Sequence, residues 1–374
     1  MSPTNSSYLI SKVVILFGLS AIQTFTFILV GNYILEIPFS EMRYWFILFS
    51  CSCFANLLGL NISSAFDSAV TIYILIPVLV IPQLIMSGVV IPFDKFNPDV
   101  SKPNAIPVMG EVMASRWAYE AFMVTQFKDN PLEKMFYEFD QEISVARYKK
   151  ENLIGTLKTK LSGVVKERAH WRDPNYMKVV EPLKLLHDEI SFELQSLGDN
   201  HFPEVDKLQV GKFDSTVYLK TSEFLNHLRT FYSLQATEAT DKREALVASL
   251  TNTPEKKIEF NKMHLRYENE AVKVWVENSS FEKKRILESN GRLIQGYFPI
   301  YFQDHRPDNI FDFRSNFFVP TKPFMGRTFD TYYFNLCAIW FMTIFLYLTL
   351  YYDVMKRLVH AFETRRKYRK RNTI

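Results

Sequence analysis

Four blocks of about twenty apolar residues, roughly 13–35, 44–62, 70–90 and 334–352, constrain this chain more than any other feature. A helix needs roughly 20 such residues to cross the hydrocarbon core of a bilayer. Averaged over 374 residues, 48% hydrophobic and 22% charged would suit an ordinary soluble protein. The segregation overrules the average, because everything between the third and fourth blocks is polar and charged.

The first block has only Lys12 as a basic flank, lacks a small-residue cleavage site and is soon followed by further apolar segments, so it reads as a retained span and not a secretion signal. Four spans place both termini on one side. The tail "VMKRLVHAFETRRKYRKRNTI" carries eight Lys or Arg against one Glu directly beside the last block, which by the positive-inside rule makes that side the cytoplasm. The sequence therefore predicts a multi-pass protein of the cytoplasmic (inner) membrane with both termini cytoplasmic, and a tail suited to anionic membrane lipids. Residues 94–330 are then extracytoplasmic. They hold 34 of the 44 Lys and Arg and 35 of the 40 Asp and Glu, a balance that argues against a nucleic-acid surface. Cys51, Cys53 and Cys337 all fall inside apolar blocks, so no disulfide and no cysteine zinc site is expected in the exported part.

The third block, extended to "VTIYILIPVLVIPQLIMSGVVIPF" (70–93), has no charge but carries Pro77, Pro82, Pro92 and Gln83. Each interior proline removes a backbone hydrogen bond, which a passive anchor has no use for. A broken helix that exposes carbonyls to a cavity is a pathway feature. Other polar residues in the blocks, Gln23, Thr24, Thr26, Asn56, Asn61, Ser87, Asn335 and Thr343, suit hydrogen bonds between helices. After Phe93, prolines at Pro98, Pro103 and Pro107 prevent a long helix. "EVMASRWAYEAFMVTQF" (111–127) then reads as an interfacial or re-entrant helix with Arg116 and Glu120 in its middle, and Trp117 and Tyr119 suited to headgroup depth; a soluble helix packed on the exported domain is the other reading.

The exported part is predicted to be mostly helical with coiled-coil-like hairpins. One stripe runs through Phe136, Phe139, Ile143, Ala146, Lys150, Leu153, Leu157, Leu161 and Val164, and a second through Val179, Leu183, Leu186, Ile190, Leu194 and Leu197 after a break at "RDPN" with Pro174. A third passes through Phe260, Met263, Tyr267, Ala271 and Val274, and 198–220 reads as loop with a short extended "STVYLK". Residues 296–330, dense in aromatics and prolines, read as an irregular return to the membrane surface.

No G-x-x-x-x-G-K-[ST] or H-E-x-x-H occurs; His170 and His187 lack a second metal ligand at suitable spacing, and no block contains the histidine that an intramembrane serine protease would need beside Ser87. The chain offers no catalytic residue, no cofactor-binding motif and no metal site of its own.

The strings "SYLISKV", "GLNISSAFDSA", "IPQLIMSGVVIPF", "ASRWAYEA" and "FDTYYFNLCAIWFMTIFLYLTLYYDVMKR" in this order together resemble the permease domain of type-2 ABC exporters, the class that includes the white pigment and pleiotropic drug transporters. The resemblance covers about 7–127 and 323–357, and the four blocks resemble the third to sixth spans of a six-span permease. It implies a C-terminal piece, either a split subunit or a truncated reading frame, with a large extracytoplasmic insertion. It also implies a partner ABC nucleotide-binding domain carrying ATP and Mg, and a second permease half in a homo- or heterodimer. In the family the fifth span lines the central cavity, so Gln83, Ser87, Pro77, Pro82 and Gly88 would be pathway and gate elements, and Arg116 and Trp117 would mark the re-entrant helix.

The expected fold class is mainly α, with four transmembrane helices plus a mostly helical extracytoplasmic domain. The expected division is three transmembrane helices over 1–93, a re-entrant or interfacial segment over 94–129, the helical extracytoplasmic domain over 130–322, the last transmembrane helix over 323–353 and a basic cytoplasmic tail over 354–374. The expected function is the membrane-spanning part of an ATP-driven exporter, with an envelope partner docking on 130–322. The alternative is a membrane-anchored interaction protein that presents its helical domain.

Overall fold

The computed structural model describes residues 3–37, 41–66, 68–96, 106–167, 177–198, 202–278, 285–289, 291–307 and 309–361. Pro38, Pro98, Pro103, the "RDPN" break with Pro174, His170 and the tail beyond 361 lie outside the described residues. Along the chain the elements are helices α1 (Pro3–Ile34), α2 (Glu41–Ala65), α3 (Ala69–Ile85), α4 (Val108–Glu111), α5 (Ala114–Lys128), α6 (Glu133–Tyr148), α7 (Ile154–Lys166), α8 (Met177–Leu197), α9 (Ser215–Leu250), α10 (Pro254–Tyr267) and α11 (Glu270–Glu277). Strands β1 (Ile286–Ser289), β2 (Arg292–Gln295), β3 (Thr321–Phe324) and β4 (Arg327–Asp330) follow, and α12 (Thr331–Tyr351) comes last. The protein is mainly helical and divides into two compact units, 1–131 with 305–374, and 132–304.

In the first unit, three helices among the described residues are long and apolar enough to cross a membrane: Ser7–Ile34, Met42–Ala65 and Thr331–Tyr351. The third apolar block differs from the expected 70–90 span. Its helix, α3, stops after 17 residues at Ile85, roughly 25 Å at 1.5 Å per residue and short of the roughly 30 Å core. The polar groups of the long helices divide into two kinds. Asn56 Nδ2 donates to Ser20 Oγ at 2.8 Å between α2 and α1, and Asn61 Nδ2 donates to Leu346 O at 2.9 Å between α2 and α12. Thr24, Thr26 and Thr343 instead bond carbonyls of their own helices, the usual outcome for a hydroxyl one turn from an acceptor. A buried core of Ile47, Phe54, Trp117, Ala121, Tyr332, Leu336 and Ile339 packs α5 against α2 and α12.

The second unit has its own core, in which Leu157, Leu161, Leu183, Leu186, Ile190, Leu208 and Leu225 are fully buried. The first two expected stripes supply much of it. Residues 133–166 run as one helical stretch through a π turn at Lys149–Leu153. A π turn inserts one residue and rotates the face after it. Lys149, not the expected Lys150, is therefore the buried lysine: its Nζ lies 3.2 Å from Glu193 Oε2 and 3.2 Å from Asp304 Oδ2, and the Tyr232 hydroxyl donates to the same Glu193 oxygen.

The structure departs from the sequence reading at several points of the polar stretch between the third and fourth apolar blocks. "STVYLK" is not extended but opens the 36-residue α9, because Asp214 accepts the Val217 N–H at 2.7 Å and caps a helix that the β-branched residues by themselves disfavour. The third stripe is two helices: Asn269 caps α11 by accepting the Val272 N–H, and the buried positions there are Val272 and Val276 in place of Ala271 and Val274. β1 pairs antiparallel with β2, and β3 with β4, the second pair inside the stretch read as irregular. The second hairpin and residues 305–320 pack in the first unit, although the sequence grouped 305–322 with the insertion.

Candidate functional site

The end of α3 is where the expected gate residues lie. Pro77 and Pro82 are interior to α3, which has no buried residue. After Ile85 the chain turns at Ser87 and Gly88. Ser87 Oγ donates to Leu84 O at 2.7 Å and accepts the Val89 N–H at 3.1 Å, so it serves the turn itself. Gly88 has φ of +82°, and a Cβ there would sit 2.9 Å from Phe317 Cε1 and 3.0 Å from Phe93 Cε2. Only glycine satisfies both the left-handed backbone and the close aromatic approach.

Gln83 is held by α5. Ser115 Oγ donates to the Gln83 backbone oxygen at 2.6 Å and to its Oε1 at 3.2 Å, fixing the last turn of α3 on the first turn of α5. The structure thus brings Gln83, Ser87 and Gly88 to one corner beside α5, with Pro77 further back along α3.

On α5, Arg116 and Trp117 head a network buried from water. The Arg116 guanidinium, 0% exposed, pairs with Glu111 and donates to Glu120 Oε2 at 3.0 Å. It lies 3.6 Å from the centre of the Trp117 ring, within cation–π range. Glu120, also 0% exposed, accepts from Lys322 Nζ at 2.9 Å on β3 and from Asn335 Nδ2 at 2.9 Å on α12. Asn335 Nδ2 also donates to Trp117 O at 2.9 Å, and the Trp117 indole N–H donates to Glu111 O at 2.9 Å. Trp117 is 3% exposed, so it is a packing residue and not the headgroup-depth aromatic that its type suggested. Two acids and two bases cancel in charge. Burial pushes the Glu111 carboxyl up, opposed by Arg116 and Lys322, and pushes the Lys322 ammonium down, opposed by Glu120.

The arrangement is chemically a lock and not a catalyst, since every charge faces a protein counter-charge. It binds α5 at once to the β3–β4 hairpin and to the first turns of α12. Sequence reading found Arg116, Glu120 and Asn335 as polar groups in apolar surroundings but missed Lys322. The available signal was a lysine between two prolines in "VPTKPF", which becomes informative only once its carboxylate is known.

The second unit holds a cavity of about 800 Å³ walled by Phe136, Phe260 and Tyr301 and by Glu133, Asp140 and Lys273, among others. Arg243 Nε donates to Asp140 Oδ1 at 2.6 Å and its guanidinium lies 5.1 Å from the Phe136 ring centre. Burial lifts the Glu133 carboxyl to about 7, aided by Asp140, Glu268 and Glu277 and opposed by Lys273. The folded unit therefore holds this proton more tightly than the unfolded chain. Its contribution is complete below the ordinary carboxylate pKa of 4.5 and is lost as pH rises through about 7. We expect protease resistance of this unit, measured on the full chain, to fall between about pH 5 and about pH 8 by an equivalent of about 1–2 kcal/mol, below the desolvation ceiling because water reaches the cavity. Glu133→Gln should flatten that slope; an unchanged slope would place the titration elsewhere.

Compared with known proteins, residues 2–127 match the ABC-2 type transporter family model. No curated protein and no solved structure matches the chain. The matched stretch runs from α1 to α5 and includes the α3–α5 corner and four members of the buried network, Glu111, Arg116, Trp117 and Glu120. A membrane domain of this type implies a membrane setting and an ABC nucleotide-binding partner, and the match supports a type-2 ABC permease, a membrane-spanning component of an ABC transporter.

Proposed function

We propose that the chain forms half of the substrate pathway of an ATP-driven exporter of the white and pleiotropic-drug class, with ATP and Mg bound on a separate nucleotide-binding domain and a second permease half completing the pathway. The observation that carries this reading is the ABC-2 type transporter match over 2–127. The open surface of α3 supports it: an apolar helix with no buried residue in its own chain, held by α5 at its last turn, has most of its circumference left for lipid or a facing permease half. In this reading 132–304 is the extracytoplasmic insertion and docks an envelope partner, and both termini are cytoplasmic at the inner membrane. The test is purification of the tagged chain from its native membrane after cross-linking. A P-loop ATPase should co-purify in stoichiometric amount and hydrolyse ATP; recovery without any such ATPase would sink the assignment.

Gln83, Ser87 and Gly88 then gate the outer mouth, and Pro77 and Pro82 bend the helix that flanks it. Gln83→Leu removes the side-chain acceptor of Ser115 while sparing the backbone one. It should lower transport about three- to tenfold, the factor set by roughly 1 kcal/mol for one neutral hydrogen bond, with assembly intact. Unchanged transport in a reconstituted complete system would exclude a gating role.

The self-contained core of 132–304 favours a second reading, in which this unit is the working part and the helices mount it. Isolation of the chain with a partner bound to 132–304 and no ATPase would select that reading.

A further inference from the structure

The β3–β4 hairpin has a feature that the transport reading does not use. Its tip, Met325 and Gly326, has φ of 50° and 74° and turns the chain back sharply. The hairpin lies beside α12 and does not extend away from it. The Phe324 ring centre is 5.9 Å from that of Phe334, Lys322 reaches Glu120 next to Asn335, and the Thr331 N–H donates to Pro320 O at 3.0 Å. The tip is thus level with the first turns of the span. The Met325 N–H donates to Ile310 O at 2.7 Å, which seats the 309–312 turn against it. Ile310, Phe311 and Met325 consequently form one apolar knob, 65%, 67% and 58% exposed, and Arg327 is exposed at the next position along β4.

We propose that this knob is embedded in the headgroup boundary of the bilayer, with Ile310, Phe311 and Met325 among the upper acyl chains and Arg327 at the lipid phosphates. The inference rests on the reading of α12 as a membrane span. Lipid is the occupant because the hairpin tip lies beside the first turn of that span, through Phe324 and Phe334, and the span itself exposes apolar side chains, with Tyr333 59% and Phe341 73% exposed. An apolar face set roughly 5–10 Å into the boundary with a cation at its rim is the arrangement that holds amphipathic elements on membranes. Its effect is to anchor the hairpin whose Lys322 closes the buried network.

The experiment uses the full chain reconstituted in phosphatidylcholine vesicles whose acyl chains are brominated either close to the headgroup or near their ends. Tryptophan is added one position at a time by Met325→Trp, Phe311→Trp and, as a mid-span control, Phe345→Trp; Leu265→Trp, 87% exposed in the second unit, reports quenching in water. Emission added at Met325 and Phe311 is expected to fall about twofold with bromine near the headgroup, and less with bromine near the chain ends, as suits a boundary depth. Emission added at Phe345 should fall most with the deeper bromine. If Phe345→Trp is quenched and neither tip variant is, the proposal is overturned, and blue-shifted unquenched emission would mark a second copy of the chain as the occupant. If Phe345→Trp also escapes quenching, the membrane reading of α12 fails, and the proposal with it.

Discussion

Replacing Glu120 by leucine should lower the stability of the full chain by about 3–5 kcal/mol, the cost of leaving buried charge uncompensated. Arg116 would keep Glu111, but Lys322, 1% exposed at its side chain, would lose its carboxylate, and Asn335 would lose an acceptor. Lys322 can shed part of the penalty by releasing its proton, which burial already favours. The double change Glu120→Leu with Lys322→Met should therefore recover much of the loss, and the two effects should be strongly non-additive. Thermal unfolding in detergent and in nanodiscs reads both. Lys242 and Glu238, an exposed pair at 2.8 Å, provide the reference, since solvent screens such a pair and removing one partner changes stability little. A Glu120→Leu effect no larger than that would mean the network does not hold α5 in place.

Gly88→Ala is the second large effect. The backbone at φ of +82° is strained for any residue with a Cβ, and that Cβ would press within 2.9 Å of the Phe317 ring. Strain costs about 1–3 kcal/mol and overpacking a similar amount, so a total of about 2–5 kcal/mol is expected, with the α3–α5 corner opening first. Adding Phe317→Leu should return the steric share and leave the backbone share. Protease susceptibility around 86–96 and the unfolding midpoint separate the two. A neutral Gly88→Ala would show that this turn can relax without cost.

Local patterns were legible because they are written in neighbouring residues. Apolar length marked α1, α2 and α12, and three-and-four spacing marked the buried faces of α6, α7 and α8. A change of phase was not legible: nothing in "KKEN" announces the π turn that exchanges Lys150 for Lys149 at the core. The start of α9 was misread because one capping aspartate outweighed the strand preference of the residues after it. The 17-residue stop of α3 was visible as composition, in Gly88 and Pro92, but not as an end, since an apolar run carries no mark of where its helix turns.

By itself the sequence determined that this is a chain of membrane-type helices with a polar, largely helical stretch between the third and fourth apolar blocks, and that residues 2–127 carry an ABC-2 transporter pattern. The tertiary structure decided which charges meet. Glu120 and Lys322 are 202 positions apart, and Gln83 and Ser115 are separated by 32. Periodicity reports which face of a helix is buried; it does not report what that face is buried against. A buried charge in a single apolar helix is therefore ambiguous until the fold brings its counter-charge to within 3 Å or so of it.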